Sequence, residues 1–309
     1  ILQEMMKTRY ILAFLLPLTF AISSAAKDNA MSFLSISPDP VSMAMGGTSS
    51  SGAFSHFGSL ADPGVGGGSF AAGISYGYFQ PSVSASDVVS LGAVYGIDER
   101  FGLTFGFLGN IGDKYGVTGE FGESLGVFRP SEFRIGAGFT WKILEKFSAG
   151  IALNYAQSSH SPKMDGVRDV SRTGFADIQF RYQPLEWLGV SLTGKNLGIP
   201  VDSYPLPYYA QLGVDGDWRF GKHSLDATVE AGMYMSPSAV CASAGVQYGY
   251  ADHYFVRAGG HYCGREAGIP SFFSAGAGLL FAGFSLNISW NYASGPMKNT
   301  FNVGVGYSF

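Results

Sequence analysis

From about Gly66 to its last residue the chain alternates apolar and polar side chains, in long segments. Period two is the mark of strands with one apolar face. Fourteen segments can be marked off: 67–80, 87–97, 100–111, 131–143, 146–158, 171–183, 187–198, 207–219, 222–236, 239–250, 253–264, 271–282, 283–294 and 299–309. Each is about 11–15 residues long, against ~5–6 for an ordinary strand. An even number of strands of this length is what a tilted transmembrane barrel requires. In segment 283–294 Phe284, Leu286, Ile288, Trp290 and Tyr292 alternate with Ser285, Asn287, Ser289 and Asn291.

The connections alternate in length. Asp98-Glu99, Leu144-Glu145, Pro184-Leu185-Glu186, Phe220-Gly221, Ala251-Asp252 and Ala282-Gly283 are tight, whereas 112–130, 159–170, 199–206 and 265–270 are longer. Tight turns on the periplasmic side and longer loops outside are the outer-membrane arrangement. The polar faces carry Ser, Thr, Gly, Asn and charges of both signs, among them Arg134, Asp177, Arg181, Lys195, Asp215, Glu230 and Arg257. In lipid every backbone N–H and C=O must be paired internally, so only a closed sheet can carry these strands across. The expected fold is all-β: a 14-stranded antiparallel transmembrane barrel, apolar outside and polar within. Along one strand, Asp177 with Arg181 and Asp215 with Arg219 are candidate ion pairs.

Composition excludes other classes. Only 14 % of residues are charged, 15 % are aromatic and 44 are Gly, where soluble domains hold about 25 % charge. Mean hydropathy is +0.15, and past the amino terminus no ~20-residue apolar run suggests membrane helices. A net charge of −4 offers no basic stripe for nucleic acid.

Three regions follow. Residues 1–26 read as a secretory signal with upstream residues: Lys7 and Arg9, an apolar run from Tyr10 to Ile22, then Ser23-Ser24-Ala25-Ala26. Residues 27–65 are too long for a mere leader and read as a hatch or plug. Lumen-facing glycines (Gly136, Gly138, Gly213, Gly245, Gly259, Gly276 and Gly278) leave room for it. Residues 66–309 form the barrel. Its last strand must close against the first, and Val303, Val305, Tyr307 and Phe309 resemble the carboxyl-terminal signal read by the barrel-assembly machinery.

Cys241 and Cys263 fall on strands joined by the turn at Asp252. Folding that hairpin sets them opposite or nearly so, facing the lumen near the outer rim. A secreted compartment permits a structural cross-strand disulfide; two separate small thiols are the alternative. No enzyme constellation stands up. The five His residues (56, 160, 223, 253 and 261) are scattered, and the Ser residues lack a placed His–Asp set. No catalytic, cofactor or metal site is expected.

Short motifs add a resemblance. Ser37-Pro-Asp-Pro-Val-Ser-Met-Ala-Met-Gly-Gly-Thr48, Lys195-Asn196-Leu197-Gly198 followed by Leu206-Pro207 and Ala210-Gln-Leu-Gly213, and Phe255-Val-Arg-Ala-Gly259 resemble the PorV/PorQ-like branch of the FadL superfamily. The family's Asn-Pro-Ala before the first strand is replaced by Leu60-Ala-Asp-Pro-Gly64. The resemblance implies a Gram-negative outer membrane of the Bacteroidota type. It also implies a noncatalytic part in type IX secretion, docking a translocon, surface attachment components or the carboxyl-terminal domains of cargo. Tyr115, Phe121, Val127, Phe128, Met164 and Val167 in the outer loops are the candidate docking residues; packing over the barrel mouth is the equal alternative. The FadL side of the superfamily implies instead uptake of hydrophobic small molecules. That reading expects a greasy pocket beneath the outer loops and a kinked strand, for which Gly68, Gly73 and Gly77 are candidates. A third reading is an accessory wall of a larger complex. One fold hosts all three.

Overall fold

The computed structural model describes residues 29–49, 59–64, 69–80, 85–159, 170–293 and 298–309. The signal-peptide reading of residues 1–26 lies outside them. So do Met164, Val167, Gly68 and part of the region read as a plug.

Fourteen strands close into one antiparallel barrel. They are β1 (Phe70–Phe79), β2 (Ser86–Gly96), β3 (Phe101–Gly112), β6 (Ser131–Leu144), β7 (Phe147–Ser159), β8 (Ser171–Leu185), β9 (Leu188–Gly198), β10 (Tyr209–Phe220), β11 (His223–Met235), β12 (Ser238–Tyr250), β13 (Tyr254–Cys263), β14 (Phe272–Phe281), β15 (Phe284–Ala293) and β16 (Thr300–Ser308). Between β3 and β6 a separate two-stranded hairpin, β4 (Tyr115–Thr118) with β5 (Ser124–Phe128), rises from the outer rim. That stretch reads as plain loop in the sequence because its four glycines interrupt the alternation.

Each wall strand turns alternate residues outward. On β15 Phe284, Leu286, Ile288, Trp290 and Tyr292 are exposed on the lipid side, while Ser289 and Asn291 are buried in the lumen. Several tight turns have the backbone that the twist of a hairpin demands. Ala251 and Asp252 lie at φ 55° and 56°, and Ala282 and Gly283 at 49° and 81°. Closure is made by β1 against β16, in unbroken register from Ala71–Ser308 to Tyr78–Phe301. The final residue extends it: Phe309 N–H donates to Phe70 O at 3.0 Å, and Phe70 N–H donates to Phe309 O at 3.1 Å. Their rings lie 5.4 Å apart.

The wall irregularity is not where Gly73 and Gly77 suggest. Among the described residues β1 pairs with both neighbours without a break. Register shifts instead between β6 and β7 near Lys142 and at two places between β8 and β9, one around Tyr182–Leu185 and one around Asp177. There Asn196 adopts φ 59°, a left-handed conformation that Asn tolerates better than most residues. The bulge is pinned: Asn196 N–H donates to Asp177 Oδ1 at 2.7 Å, and Asn196 Nδ2 donates to Pro207 O at 2.9 Å.

Candidate functional site

Two described segments of the amino-terminal region lie inside the barrel. In the first, a 3₁₀ turn at Ser32–Ser35 precedes a short helix, α1 (Pro40–Ala44). Helix α1 starts at Asp39, whose carboxylate accepts the Val41 and Ser42 N–H groups at 3.1 and 2.9 Å, with Pro40 at its first turn. Pro at that position sacrifices no hydrogen bond. The wall then captures the helix backbone. Asn291 Nδ2 donates to Met43 O at 3.1 Å, Ser274 Oγ donates to Ala44 O at 3.0 Å and accepts from Gly46 N–H at 2.9 Å, and Ser75 Oγ donates to Pro38 O at 2.6 Å. Gly46 and Gly47 follow with φ 77° and 75°.

The second segment, 59–64, crosses to the opposite wall. Thr104 Oγ1 donates to Leu60 O, and Cβ atoms on Gly138 and Gly150 would strike Leu60 O and Ala61 O. Gly136, Gly245, Gly259 and Gly276 likewise meet Leu60, Met45, Gly46 or Ala44, whereas Gly278 faces Arg257 and Asn287. Asp62 is buried here. Loss of hydration raises its carboxyl to about 6, against the lowering effects of Gly64 N–H and Arg181.

Among the described residues, an outer and an inner lumen cavity border these segments. The outer one, about 610 Å³, is walled by Phe33, Leu34, Ile36, Phe79, Tyr234 and Phe272. One side is polar. Lys195 Nζ donates to Ser49 Oγ at 2.6 Å, Ser49 N–H donates to Glu230 Oε1 at 2.7 Å, and Gln211 Nε2 reaches Glu230 Oε2 at 3.2 Å. Arg134 lines the same side, with its Nε buried and without a hydrogen-bond partner among the described residues. The inner cavity, about 350 Å³, is bordered by Asp39 and Pro40 of the plug and by Asp217, Arg219, Asp226 and Arg257. Phe255, Leu279, Leu280 and Val305 also line it, so both cavities mix polar and apolar walls.

No protein-family model matches the sequence, and comparison with curated proteins finds no match. Solved structures do match. The Pseudomonas putida toluene transporter TodX superposes with a TM-score of 0.59 at 13% identity, covering 87% of this chain and 97% of that one. The monoaromatic hydrocarbon channel CymD gives 0.61 at 13%, covering 87% and 96%. The fold is FadL-like. A closed barrel of this kind is an outer-membrane protein of Gram-negative bacteria.

These neighbours correct the functional expectation. The barrels superposed above are by name a toluene transporter and monoaromatic hydrocarbon channels, which overturns the type IX secretion reading of the function. The motifs that suggested it have structural duties. Lys195-Asn196 forms the β8–β9 bulge, Gly198 O accepts from Tyr208 OH at 2.7 Å, and Leu206 is buried in a cluster with Met31, Phe33 and Leu34. Lys195, through Ser49, and Leu206 hold the amino-terminal segment, whereas Asn196 and Gly198 bond the wall and the β9–β10 connection. Any barrel with a similar plug has use for them.

The remaining expectations are placed as follows. Cys241 and Cys263 are register partners on β12 and β13, and their sulfurs are joined as a disulfide. Val303, Val305, Tyr307 and Phe309 face outward on β16 and its end. Tyr115 and Phe121 are exposed on the β4–β5 hairpin, Phe121 to 91%, but Phe128 is buried and meets Tyr115 edge-on at 5.6 Å. Phe128 therefore holds the hairpin together and offers no docking face. The expected ion pairs differ too. Arg181 binds Asp215 with both nitrogens at 2.6 and 2.8 Å, and Arg219 binds Asp217 and Asp252. Residues four apart on a strand are ~13 Å apart at ~3.3 Å per residue, too far to pair. Strand β9 lies between Arg181 and Asp215, and Gly189, having no Cβ, lets the pair meet over it. Sequence reasoning did not foresee the cavity residues Ser49, Gln211, Tyr209 and Tyr234, since small polar and aromatic side chains carry no spacing signal of their own.

Proposed function

We propose that this chain is a noncatalytic outer-membrane transporter that takes up hydrophobic small molecules. The observation that carries the reading is the outer cavity, about 610 Å³ in volume and open toward the long loops. Ligand pockets commonly span ~300–1,000 Å³ and pair apolar walls with a few placed polar groups. Phe33, Leu34, Ile36 and Phe272 supply the apolar wall for the body of a ligand, and Arg134 with Lys195 the polar side. What the neighbours carry, toluene and other monoaromatic hydrocarbons by their names, agrees in kind with such a chamber. The plug below must move or be bypassed for passage. The outward Val303, Val305, Tyr307 and Phe309 would be recognised by the barrel-assembly machinery during insertion. A PorV/PorQ branch assignment and a Bacteroidota-type source rest on the short motifs alone.

Uptake by intact cells tests the proposal. Cells expressing the chain should accumulate labelled toluene faster than cells with empty vector. Ile36→Trp, which fills the cavity from the plug side, should return uptake to the vector rate while the barrel still resists SDS until heated. Uptake at the vector rate by the native chain, for aromatic and alkyl substrates alike, would refute it.

A further inference from the structure

The lumen wall near the outer rim carries a second cluster, on two successive lumen-facing register pairs of β12 and β13. Cys241 faces Cys263, and two residues further along Ser243 faces His261. Both sulfurs and an imidazole nitrogen lie within 4.8 Å of one another. The disulfide accounts for the sulfurs and leaves the imidazole unexplained. His261 Nδ1 is engaged by Ser243 Oγ at 2.8 Å, while Nε2 is buried without a hydrogen-bond partner among the described residues. Phe272 stacks on the ring at 5.0 Å. A histidine held through one nitrogen, with the other left bare, has the arrangement of a metal ligand. Tyr234 and Ala239 pack around the cysteines as an apolar shell.

We propose that Cys241, Cys263 and His261 bind Zn²⁺ when the disulfide is reduced. A dithiol reductant supplies the two electrons and two protons that turn the S–S bond into two thiols, and itself closes to a disulfide. Zn²⁺ then displaces both thiol protons to water, forming two Zn–S bonds and one Zn–N bond. Charge favours this ion: two thiolates cancel the charge of Zn²⁺ and the imidazole adds none, so an apolar shell buries no net charge. Zn–S near 2.3 Å and Zn–N near 2.0 Å span donors spaced as these are, once the sulfurs separate. The fourth position opens to the outer cavity, which His261 lines. The site is thus exclusive with the disulfide, and holds metal only in the reduced barrel.

The test is Zn²⁺ binding to the purified full barrel in detergent, by competition with a chromophoric chelator, before and after anaerobic reduction. The reduced protein should bind a single Zn²⁺ and the oxidised protein none. Ser243→Ala, which frees Nδ1, should weaken binding by roughly tenfold. His261→Ala, which keeps the disulfide and therefore the fold, should weaken it further after reduction. Co²⁺ in place of Zn²⁺ should show thiolate-to-metal charge-transfer absorption that is lost in Cys241→Ser. Equal Zn²⁺ binding by reduced native protein and His261→Ala would overturn the proposal. So would a reduced barrel that no longer resists SDS before heating, because the ligand set would then not exist.

Discussion

Gly46 of the plug packs backbone to backbone against Gly260 of the wall: a Cβ on Gly46 would stand 2.5 Å from Gly260 O and 2.8 Å from Ala244 O. The φ of 77° at Gly46 adds a second demand for glycine. Gly46→Val should therefore lift the end of α1 off β12 and β13. The expected result is a several-fold rise in ion conductance through single barrels in a planar bilayer, with Gly46→Ala intermediate. Unchanged conductance in both would show that the plug does not set the lumen's opening.

Asp62 makes docking of segment 59–64 depend on pH. Its carboxyl is raised to about 6 from an ordinary 3.8, so the docked state holds a proton that the undocked state releases. Docking is thus strongest in acid and weakens as pH rises through about 6. From pH 7 to pH 5 the docking constant should rise about tenfold. Hydrogen exchange of the 59–64 amides, corrected for intrinsic rates, measures it. Asp62→Asn should abolish the pH dependence.

The Arg181–Asp215 pair sits with side chains only 16% and 10% exposed. Removing one partner of such a pair strands a charge, at a cost of about 3 kcal/mol or more, whereas replacing both can be nearly neutral. Arg181→Met should lower stability to urea clearly, and Arg181→Met with Asp215→Leu should recover most of it. If the double variant is worse than the sum of the singles, the pair is not the unit that matters.

The β8–β9 bulge gives a sharper case. Asn196→Ala loses the bond to Pro207 O and places Ala at φ 59°; about 1–2 kcal/mol of destabilisation is expected. Asn196→Gly keeps the backbone without strain and should cost less than Asn196→Ala. Urea titration of the two variants separates backbone strain from the lost hydrogen bond. If Asn196→Gly costs as much as Asn196→Ala, strain at this residue contributes nothing.

These cases show what can be read from residues and what cannot. Period-two alternation from Phe70 to Phe309 is local, so strand number, facing and the tight turns were open to inspection. The partner of Cys241 was open to within one residue: the turn holds three residues, Ala251 to His253, and only register centred on Asp252 sets Cys241 opposite Cys263. Ion pairing was not. Arg181 meets Asp215 across an intervening strand, a relation that depends on Gly189 and on barrel curvature. The cavity depends on how 29–49 and 59–64 lie inside the wall, and polar lumen residues such as Ser274 and Asn291 give no hint of which carbonyl they will hold. Function was misjudged from Lys195-Asn196-Leu197-Gly198 because those residues build a bulge, which barrels of different activity can share.

The outer cavity is the proposed seat for hydrophobic molecules. Crystals of the barrel exposed to bromobenzene test it most directly, through the anomalous signal of bromine. The signal is predicted between Phe33 of the plug and Phe272 of the wall, and is predicted to vanish in Ile36→Trp. Bromine found only on the lipid-facing side chains, with none in the cavity, would contradict the account.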